Sequence, residues 1–185
     1  MILLLYLLII PVIPILLIVT IIISFLIKID SKGPIIHWSK RIGKNEKIFL
    51  MPKFRTMHIS TPQVATHLFK DQKMHITKLG SFLRKYSLDE LPQLYSILVG
   101  DMTFIGPRPA LFNQQDLIIL RRKNNLNIVK PGITGWAQVN GRDTISIDEK
   151  VRLELEYNKK KGIFIDIKIV MMTILKVIIK SDINH

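Results

Sequence analysis

The chain opens with a long apolar run and then changes to a mixed pattern of apolar and polar residues. No charged side chain precedes Lys28, and the 26 residues from Ile2 to Ile27 are long enough to cross a bilayer core of about 30 Å. Pro11 and Pro14 lie inside this run, so a kink or break is expected near them. Both a kinked membrane span and a helix–break–helix that enters and leaves by the same leaflet fit this pattern.

The next segment predicts a β-hairpin. Two short strand-like runs, Ile35 to Ser39 and Lys47 to Met51, are separated by Gly43-Lys44-Asn45, which is typical of a turn. The polar stretch from Met57 to Met74 shows no clear period, and we interpret it as a loop.

Apolar residues then return at helical spacing. Helices are predicted for Thr77 to Tyr86, for the segment that begins near Asp89, for Pro109 to about Lys123 and for Asp148 to Lys159. A short strand from Trp136 to Val139 is predicted before the turn-forming pair Asn140-Gly141.

The last helix, Phe164 to Lys180, carries a narrow polar stripe on an otherwise apolar surface. The stripe consists of Asp166, Thr173, Lys176 and Lys180. This pattern indicates either a buried core helix or a helix that lies in a membrane interface. The apolar start of the chain favours the interface.

The charge of the chain is strongly asymmetric. The net charge is +13, and all of the excess lies after Ile27. Such an excess favours an acidic partner, which is a nucleic acid, an anionic lipid or a phosphorylated substrate. Since the basic part follows a membrane anchor, we expect a membrane protein with its C-terminal part in the cytoplasm and no nucleic-acid partner. The absence of cysteine excludes a disulfide framework and a Cys-based zinc site.

Two neighbouring carboxylates, Asp89 and Glu90, are the first candidates for chemistry. Ser87 followed by Glu90 fits a capping box, although Asp89 is an alternative cap that places Pro92 within the first turn. In either case both acids lie at the positive end of a helix, which is expected to keep them ionised. Adjacent helical residues point about 100° apart, so the two acids can contact different partners. The alternative is that they only cap the helix.

Four basic residues are candidates for phosphate binding. Lys53 and Arg55 come just after the predicted basic hairpin, where they can contact either anionic headgroups or a substrate phosphate. Arg108 stands between two prolines that fix its backbone, which suits a bidentate phosphate clamp, although a rigid surface turn explains the same residues. Arg142 follows the Asn140-Gly141 turn, where a loop tip can reach a ligand.

Four segments in order carry a resemblance to a known family. They are KFRTM (Lys53 to Met57), SLDELPQL (Ser87 to Leu94), GDMTFIGPRP (Gly100 to Pro109) and PGITGWAQVNGR (Pro131 to Arg142). Behind an apolar anchor, this set closely resembles the bacterial sugar transferases, small monotopic phosphoglycosyl transferases that start glycan assembly on a polyprenyl carrier. The resemblance runs from about Pro14 to Lys180.

The resemblance implies a reaction and roles for two residues. The donor is a nucleotide diphosphate sugar, typically a UDP-sugar, and the acceptor is undecaprenyl phosphate. The products are an undecaprenyl diphosphate sugar and UMP. By the resemblance, Asp89 is the nucleophile, Glu90 assists through Mg²⁺, and the apolar anchor is re-entrant with both ends in the cytoplasm.

Together these expectations define an α+β, mainly helical fold in two parts. Residues 1–29 are the predicted membrane anchor, a re-entrant helix broken at proline. Residues 30–185 are the predicted cytoplasmic catalytic domain, with a short β-hairpin and an interfacial amphipathic helix. The expected location is the bacterial inner membrane with the active site on the cytoplasmic face. The expected partners are a UDP-sugar, undecaprenyl phosphate and membrane lipid, and a homo-oligomer is left open.

Two other functions fit parts of the sequence. A membrane-anchored basic module would bind nucleic acid or anionic lipid through its charge alone. A metal-dependent hydrolase of nucleotide sugars would use water in place of the lipid phosphate.

Overall fold

A computed structural model describes residues 13–61, 75–141 and 144–179. Helix α1 (Ile13–Asp30) is apolar over most of its surface, and its polar residues are Thr20, Ser24, Lys28 and Asp30. Ile23 and Ile27 are buried on its inner side, while its outer side exposes large apolar residues such as Ile18 and Phe25. Pro14 lies in the first turn of α1, where a proline is tolerated. Pro11 lies outside the described residues, so the break expected near the two prolines stays a prediction.

The predicted hairpin is confirmed and is longer than expected. Strands β1 (Ile36–Ile42) and β2 (Ile48–Phe54) pair antiparallel, with Ile36 opposite Phe54 and Ile42 opposite Ile48. A short 3₁₀ turn, Lys44–Glu46, joins them after Gly43.

Helix α2 (Lys78–Lys85) confirms the prediction for Thr77 to Tyr86. The side chain of Thr77 accepts a hydrogen bond of 2.9 Å from the Gly80 backbone N–H and caps the helix. A Cβ atom on Gly80 would lie 2.1 Å from the carbonyl oxygen of Thr56, so this close approach requires glycine. Leu83 of α2 packs with Phe54 of β2 against the inner side of α1.

The middle of the chain forms a second small sheet. A 3₁₀ helix (Leu88–Gln93) leads into α3 (Leu94–Leu98), and β3 (Thr103–Ile105) then pairs parallel with β4 (Gly132–Thr134). The strand predicted for Trp136 to Val139 is wrong, because this segment is the short helix α5. The strand is instead β4, the glycine-containing segment just before it. Four alternating residues are too few to distinguish a strand from a short helix.

Helix α4 (Gln115–Lys123) begins six residues later than the predicted Pro109 start. The reason is that the preceding segment is extended and borders the hairpin. The backbone N–H of Ile42 donates to the carbonyl of Ala110 at 3.0 Å, and Arg41 bridges to Leu111. These contacts satisfy backbone groups that a helix would have used internally.

The two C-terminal helices confirm the predictions. Helix α6 (Ile147–Lys160) is capped by Ser146, and α7 (Ile163–Ile179) follows it. The described part of the polar stripe on α7 faces the protein: Asp166 is buried against Tyr157, and Thr173 contacts Thr134 of β4 at 2.7 Å. Lys180 lies outside the described residues.

The outer side of α7 therefore carries the apolar residues. Phe164, Ile167, Met171 and Leu175 are each at least half exposed. The outer side of α1 likewise exposes large apolar side chains, among them Ile21 and Phe25. No helix within the described ranges combines the length and hydrophobicity needed to span a bilayer. The membrane anchor predicted for residues 1–29 thus stays a prediction.

Candidate active site

The two carboxylates lie in the 3₁₀ helix that follows α2. Ser87 adopts a left-handed conformation with φ of 54°, and its side chain makes no capping hydrogen bond. The expected capping box is therefore wrong, since a residue in this conformation does not direct its hydroxyl along the helix as an N-cap does. A 3₁₀ helix has three residues per turn, so Asp89 and Glu90 point about 120° apart. They have different surroundings, as expected.

Glu90 accepts hydrogen bonds from two cations. Its Oε1 atom lies 2.9 Å from Lys53 Nζ and 3.0 Å from Arg108 Nη2. Lys53 arrives from β2, and Arg108 from the proline-flanked turn after β3. The structure thus brings together four of the residues predicted from sequence, although they come from three separate segments.

Asp89 is the more buried of the two acids, with 7% of its surface exposed. Burial raises the pKa of its carboxyl above the ordinary value of 3.8, and Lys53, 3.9 Å away, acts in the opposite direction. The expectation that the helix start keeps both acids ionised stays a prediction, and for Asp89 the loss of water around the buried carboxylate acts against ionisation.

Lys53 is partly buried and lies within reach of both acids. Burial lowers the pKa of its ammonium group, while Glu90 and Asp89 act in the opposite direction. Glu90 and Asp89 thus compensate part of the hydration that the Lys53 ammonium group loses.

Arg55 lies outside this cluster. Its guanidinium donates to the backbone carbonyls of Ser31, at 2.8 Å, and Lys32. These contacts fix the connection between α1 and β1. Arg142 lies outside the described residues, and its predicted role in binding substrate stays a prediction.

A cavity of about 290 Å³ opens beside the cluster. Glu90 and Arg108 form its polar end. The remaining wall is mostly apolar and includes Leu91, Leu94 and Ile133. Glu90 and Arg108 therefore border a space of ligand size, while Asp89 and Lys53 belong to the adjoining charged cluster and do not line it.

The acidic oxygens also fit a magnesium ion. Within the described ranges no three acidic, histidine or cysteine side chains converge. Mg²⁺ at phosphate-transferring sites is commonly held by one or two carboxylates together with the phosphates of the substrate. Glu90 at the cavity wall and Asp89 beside it supply hard oxygen ligands of this kind.

Comparison with protein families shows which family the chain belongs to. A family model described as bacterial sugar transferase matches residues 2–180. The chain belongs to the bacterial sugar transferase family. The resemblance found in the sequence is thereby confirmed.

Several relatives in this family have assigned names. The chain is 39% identical over 159 residues to the galactosyl transferase CpsE of Streptococcus agalactiae, and the alignment covers 80% of this chain and 35% of that protein. It is 37% identical over 161 residues to the UDP-glucose:undecaprenyl-phosphate glucose-1-phosphate transferase of Escherichia coli, covering 83% of this chain and 35% of that protein. It is 37% identical over 159 residues to the sugar transferase EpsL of Bacillus subtilis, covering 86% of this chain and 77% of that protein. The chain thus spans about a third of the first two relatives and about three quarters of the third.

Two residues of this bacterial sugar transferase were missed by the sequence reasoning. Arg84 of α2 acts electrostatically on Asp89 and donates to Thr56 Oγ1 at 2.9 Å. Arg121 of α4 donates to the backbone carbonyl of Arg108 at 2.9 Å. The helical spacing of Leu79, Leu83 and Tyr86 predicted α2, but it does not show which side chains lie near Arg84. Arg121 was not distinguished because basic residues are common at the end of a helix.

Proposed function

We propose that this chain transfers a sugar-1-phosphate from a UDP-sugar to undecaprenyl phosphate. The observation that carries the proposal is the cluster at the cavity mouth, in which Asp89 and Glu90 lie beside Lys53 and Arg108. Two acids and two cations beside a mostly apolar cavity suit a phosphorylated substrate and a lipid. Family membership and the name of the Escherichia coli relative support the same reaction.

The first step is attack by Asp89 on the donor. One carboxylate oxygen forms a bond to the phosphorus that carries the sugar, and the bond from that phosphorus to the oxygen of UMP breaks. UMP leaves with the electron pair, and the sugar phosphate is held as an aspartyl ester. Because a diphosphate repels a carboxylate, Lys53 and Arg108 are needed to reduce the negative charge around the reacting atoms.

The second step returns Asp89 to its starting state. An oxygen of the lipid phosphate attacks the same phosphorus, and the bond to the Asp89 carboxylate breaks. The product is an undecaprenyl diphosphate sugar. Division into two steps allows a water-soluble donor and a membrane-bound acceptor to use one nucleophile in turn.

Glu90, together with the donor diphosphate, would hold the magnesium ion. When bound, the ion supplies charge neutralisation at the transferring phosphate and the leaving oxygen. Glu90 also keeps Lys53 and Arg108 in place through its Oε1 atom.

We place the enzyme at the cytoplasmic face of the bacterial inner membrane. The exposed apolar sides of α1 and α7 are the surfaces that would contact lipid. The polar side of α7 supports this orientation, because Asp166 and Thr173 form hydrogen bonds within the protein.

The test uses the full chain in detergent with Mg²⁺ and a panel of UDP-sugars radiolabelled in the sugar. Before lipid is added, we expect label to remain on the protein and UMP to be released, for the sugar that the enzyme accepts. The Asp89→Asn variant should acquire no label, whereas Asp101→Asn, which changes an exposed acid outside the charged cluster, should behave as wild type. Addition of undecaprenyl phosphate should move the label to the lipid.

Two results would contradict the proposal. Normal transfer by Asp89→Asn would exclude the aspartyl intermediate. Release of labelled sugar phosphate into water, with neither protein nor lipid labelled, would indicate a hydrolase.

A further inference from the structure

The cavity beside Glu90 has walls that suit a hydrocarbon. Its apolar lining comes from six elements, with Leu16 on α1, Leu91 on the 3₁₀ helix, Leu94 on α3, Ile133 on β4, Val139 on α5 and Val177 on α7. A nucleobase or a sugar presents several hydrogen-bonding groups and requires convergent polar partners. Ser87, Thr134, Gln138 and Thr173 also line the cavity, but most of its wall is apolar, which favours the lipid substrate over the donor.

Two cationic residues line the same space from different sides. Arg108 lies at the Glu90 end, and Lys176 belongs to α7. Thr173, one turn before Lys176, is fixed to Thr134 of β4 at 2.7 Å. This contact turns the polar side of α7 toward the body of the protein, so Lys176 is placed at the cavity wall instead of the exposed apolar side.

The cavity also borders the two exposed apolar surfaces. Leu16 lies on α1 between the exposed residues Ile15 and Leu17, and Val177 lies two residues after the exposed Leu175 on α7. A volume of about 290 Å³ is at the small end of ligand sites, which range over about 300–1,000 Å³. It can hold the head of a long lipid but not its whole chain, so the tail must leave across these surfaces.

We propose that this cavity is the acceptor subsite, and that Lys176 binds the phosphate of a polyprenyl phosphate whose first isoprene units occupy the apolar wall. Arg108 contacts the same phosphate from the Glu90 end, and the tail continues between α1 and α7 into lipid. The assignment of the lipid as acceptor rests on the proposed function. Binding of a polyprenyl phosphate in this cavity does not depend on turnover and can be measured separately.

The first experiment measures binding by the full chain in detergent micelles. The probe is farnesyl phosphate carrying a photoreactive diazirine, compared with the corresponding farnesol. We expect the phosphate probe to label peptides that contain Leu94 and Val177, and to do so more strongly than the alcohol. Lys176→Gln should weaken phosphate-probe labelling by about tenfold, which corresponds to loss of one charge-assisted hydrogen bond.

Lys168→Gln is the matched control. It removes the same charge from the same helix, roughly 12 Å along the axis, where Lys168 lies over the ring of Trp136. Labelling by this variant should stay near the wild-type level. Equal losses in both variants would show that α7 contributes only general positive charge and would overturn the proposal. Melting temperatures of both variants are measured to exclude misfolding as the cause.

The second experiment separates the two half-reactions. In Lys176→Gln, formation of the labelled protein from the UDP-sugar should be unchanged, while KM for undecaprenyl phosphate rises about tenfold. A parallel loss of donor labelling would assign the cavity to the donor and overturn the proposal. A wild-type chain that transfers no sugar phosphate would contradict the proposed function, whereas photolabelling would still decide whether the cavity binds a lipid phosphate.

Discussion

Arg121 and Glu154 form a buried two-pronged ion pair between α4 and α6. Arg121 Nε lies 2.8 Å from Glu154 Oε2, and Arg121 Nη2 lies 2.5 Å from Glu154 Oε1. The same Nη2 atom donates to the backbone carbonyl of Arg108 at 2.9 Å. Since the Arg108 side chain contacts Glu90, the ion pair supports the backbone of a residue at the cavity mouth. We interpret Arg121 as a positioning residue for Arg108.

The first prediction separates stability from positioning. Glu154→Gln removes one partner of the buried pair and should lower the free energy of unfolding by about 3–5 kcal/mol. The double variant Arg121→Met/Glu154→Leu replaces both charges by apolar groups and should recover most of this loss. It still lacks the donor to the Arg108 carbonyl, so its kcat should fall while its melting temperature stays near that of wild type. Urea unfolding and steady-state kinetics measure the two effects, and full activity in the double variant would show a purely structural pair.

The second prediction concerns the stability cost of an ionised Asp89. Its folded-state pKa is raised above 3.8, so the folded chain holds this proton to higher pH than the unfolded chain. The wild type therefore gains stability as pH falls through the folded pKa, and this gain is complete below the unfolded value. Asp89→Asn carries no such charge and should be more stable than wild type at neutral pH, with Glu90 still compensating Lys53.

Chemical denaturation at a series of pH values measures this difference. The advantage of Asp89→Asn should shrink as pH falls. Asp101→Asn is the control, because Asp101 is exposed and its replacement should not produce that trend. An advantage that grows on acidification would contradict the direction of the pKa change.

The third prediction concerns Lys53 and the pH dependence of protein labelling. In the proposed mechanism Asp89 must be ionised to act as a nucleophile, so labelling should be lost as pH falls through its pKa. Lys53 lowers that pKa against the effect of burial. Lys53→Met should therefore shift the acid limb of labelling to higher pH, in addition to lowering the maximum rate. Lys47→Met, at an exposed position of the same hairpin, should leave the limb in place. An unchanged limb in Lys53→Met would show that the two side chains are not coupled.

Much of the secondary structure could be predicted from local pattern. The hairpin, α2, α6 and α7 follow from strand-like runs, a threonine or serine cap and helical spacing. The errors fall where distant segments decide the structure. The segment after Pro109 is extended because it borders β1, and Gly132–Thr134 is a strand because β3 lies beside it.

The site could be predicted in part for the same reason. Asp89, Glu90, Lys53 and Arg108 were selected by residue type and by resemblance, and the structure brings them together. Their electrostatics could not be predicted, since burial of Asp89 depends on how β2 packs against the 3₁₀ helix. Arg55 shows the reverse case: its charge suited a phosphate, yet backbone carbonyls of the α1–β1 connection accept its hydrogen bonds.

The last prediction concerns how α7 is held against the catalytic part of the chain. The hydroxyl of Tyr157 on α6 donates to Asp166 Oδ1 at 2.7 Å, and both side chains are buried. Burial and this hydrogen bond raise the pKa of the Tyr157 hydroxyl, so it remains protonated and able to donate. Tyr157→Phe leaves a buried carboxylate without this donor and should lower the free energy of unfolding by about 1–3 kcal/mol.

Asp166→Asn should lower the free energy of unfolding by less than Tyr157→Phe does. Its amide oxygen still accepts the hydrogen bond from Tyr157, and no charge is left buried. Urea unfolding measures the free energy of unfolding of both variants. Tyr6→Phe, which changes a tyrosine outside the described residues, is measured beside them as the control for a Tyr-to-Phe change. If Asp166→Asn is the more damaging change, the negative charge itself holds α7 in place. If Tyr157→Phe lowers the free energy of unfolding more than Asp166→Asn does, the unsatisfied carboxylate is the cause. Photolabelling at Val177 should then also be weaker in Tyr157→Phe, since α7 carries Lys176 at the cavity wall.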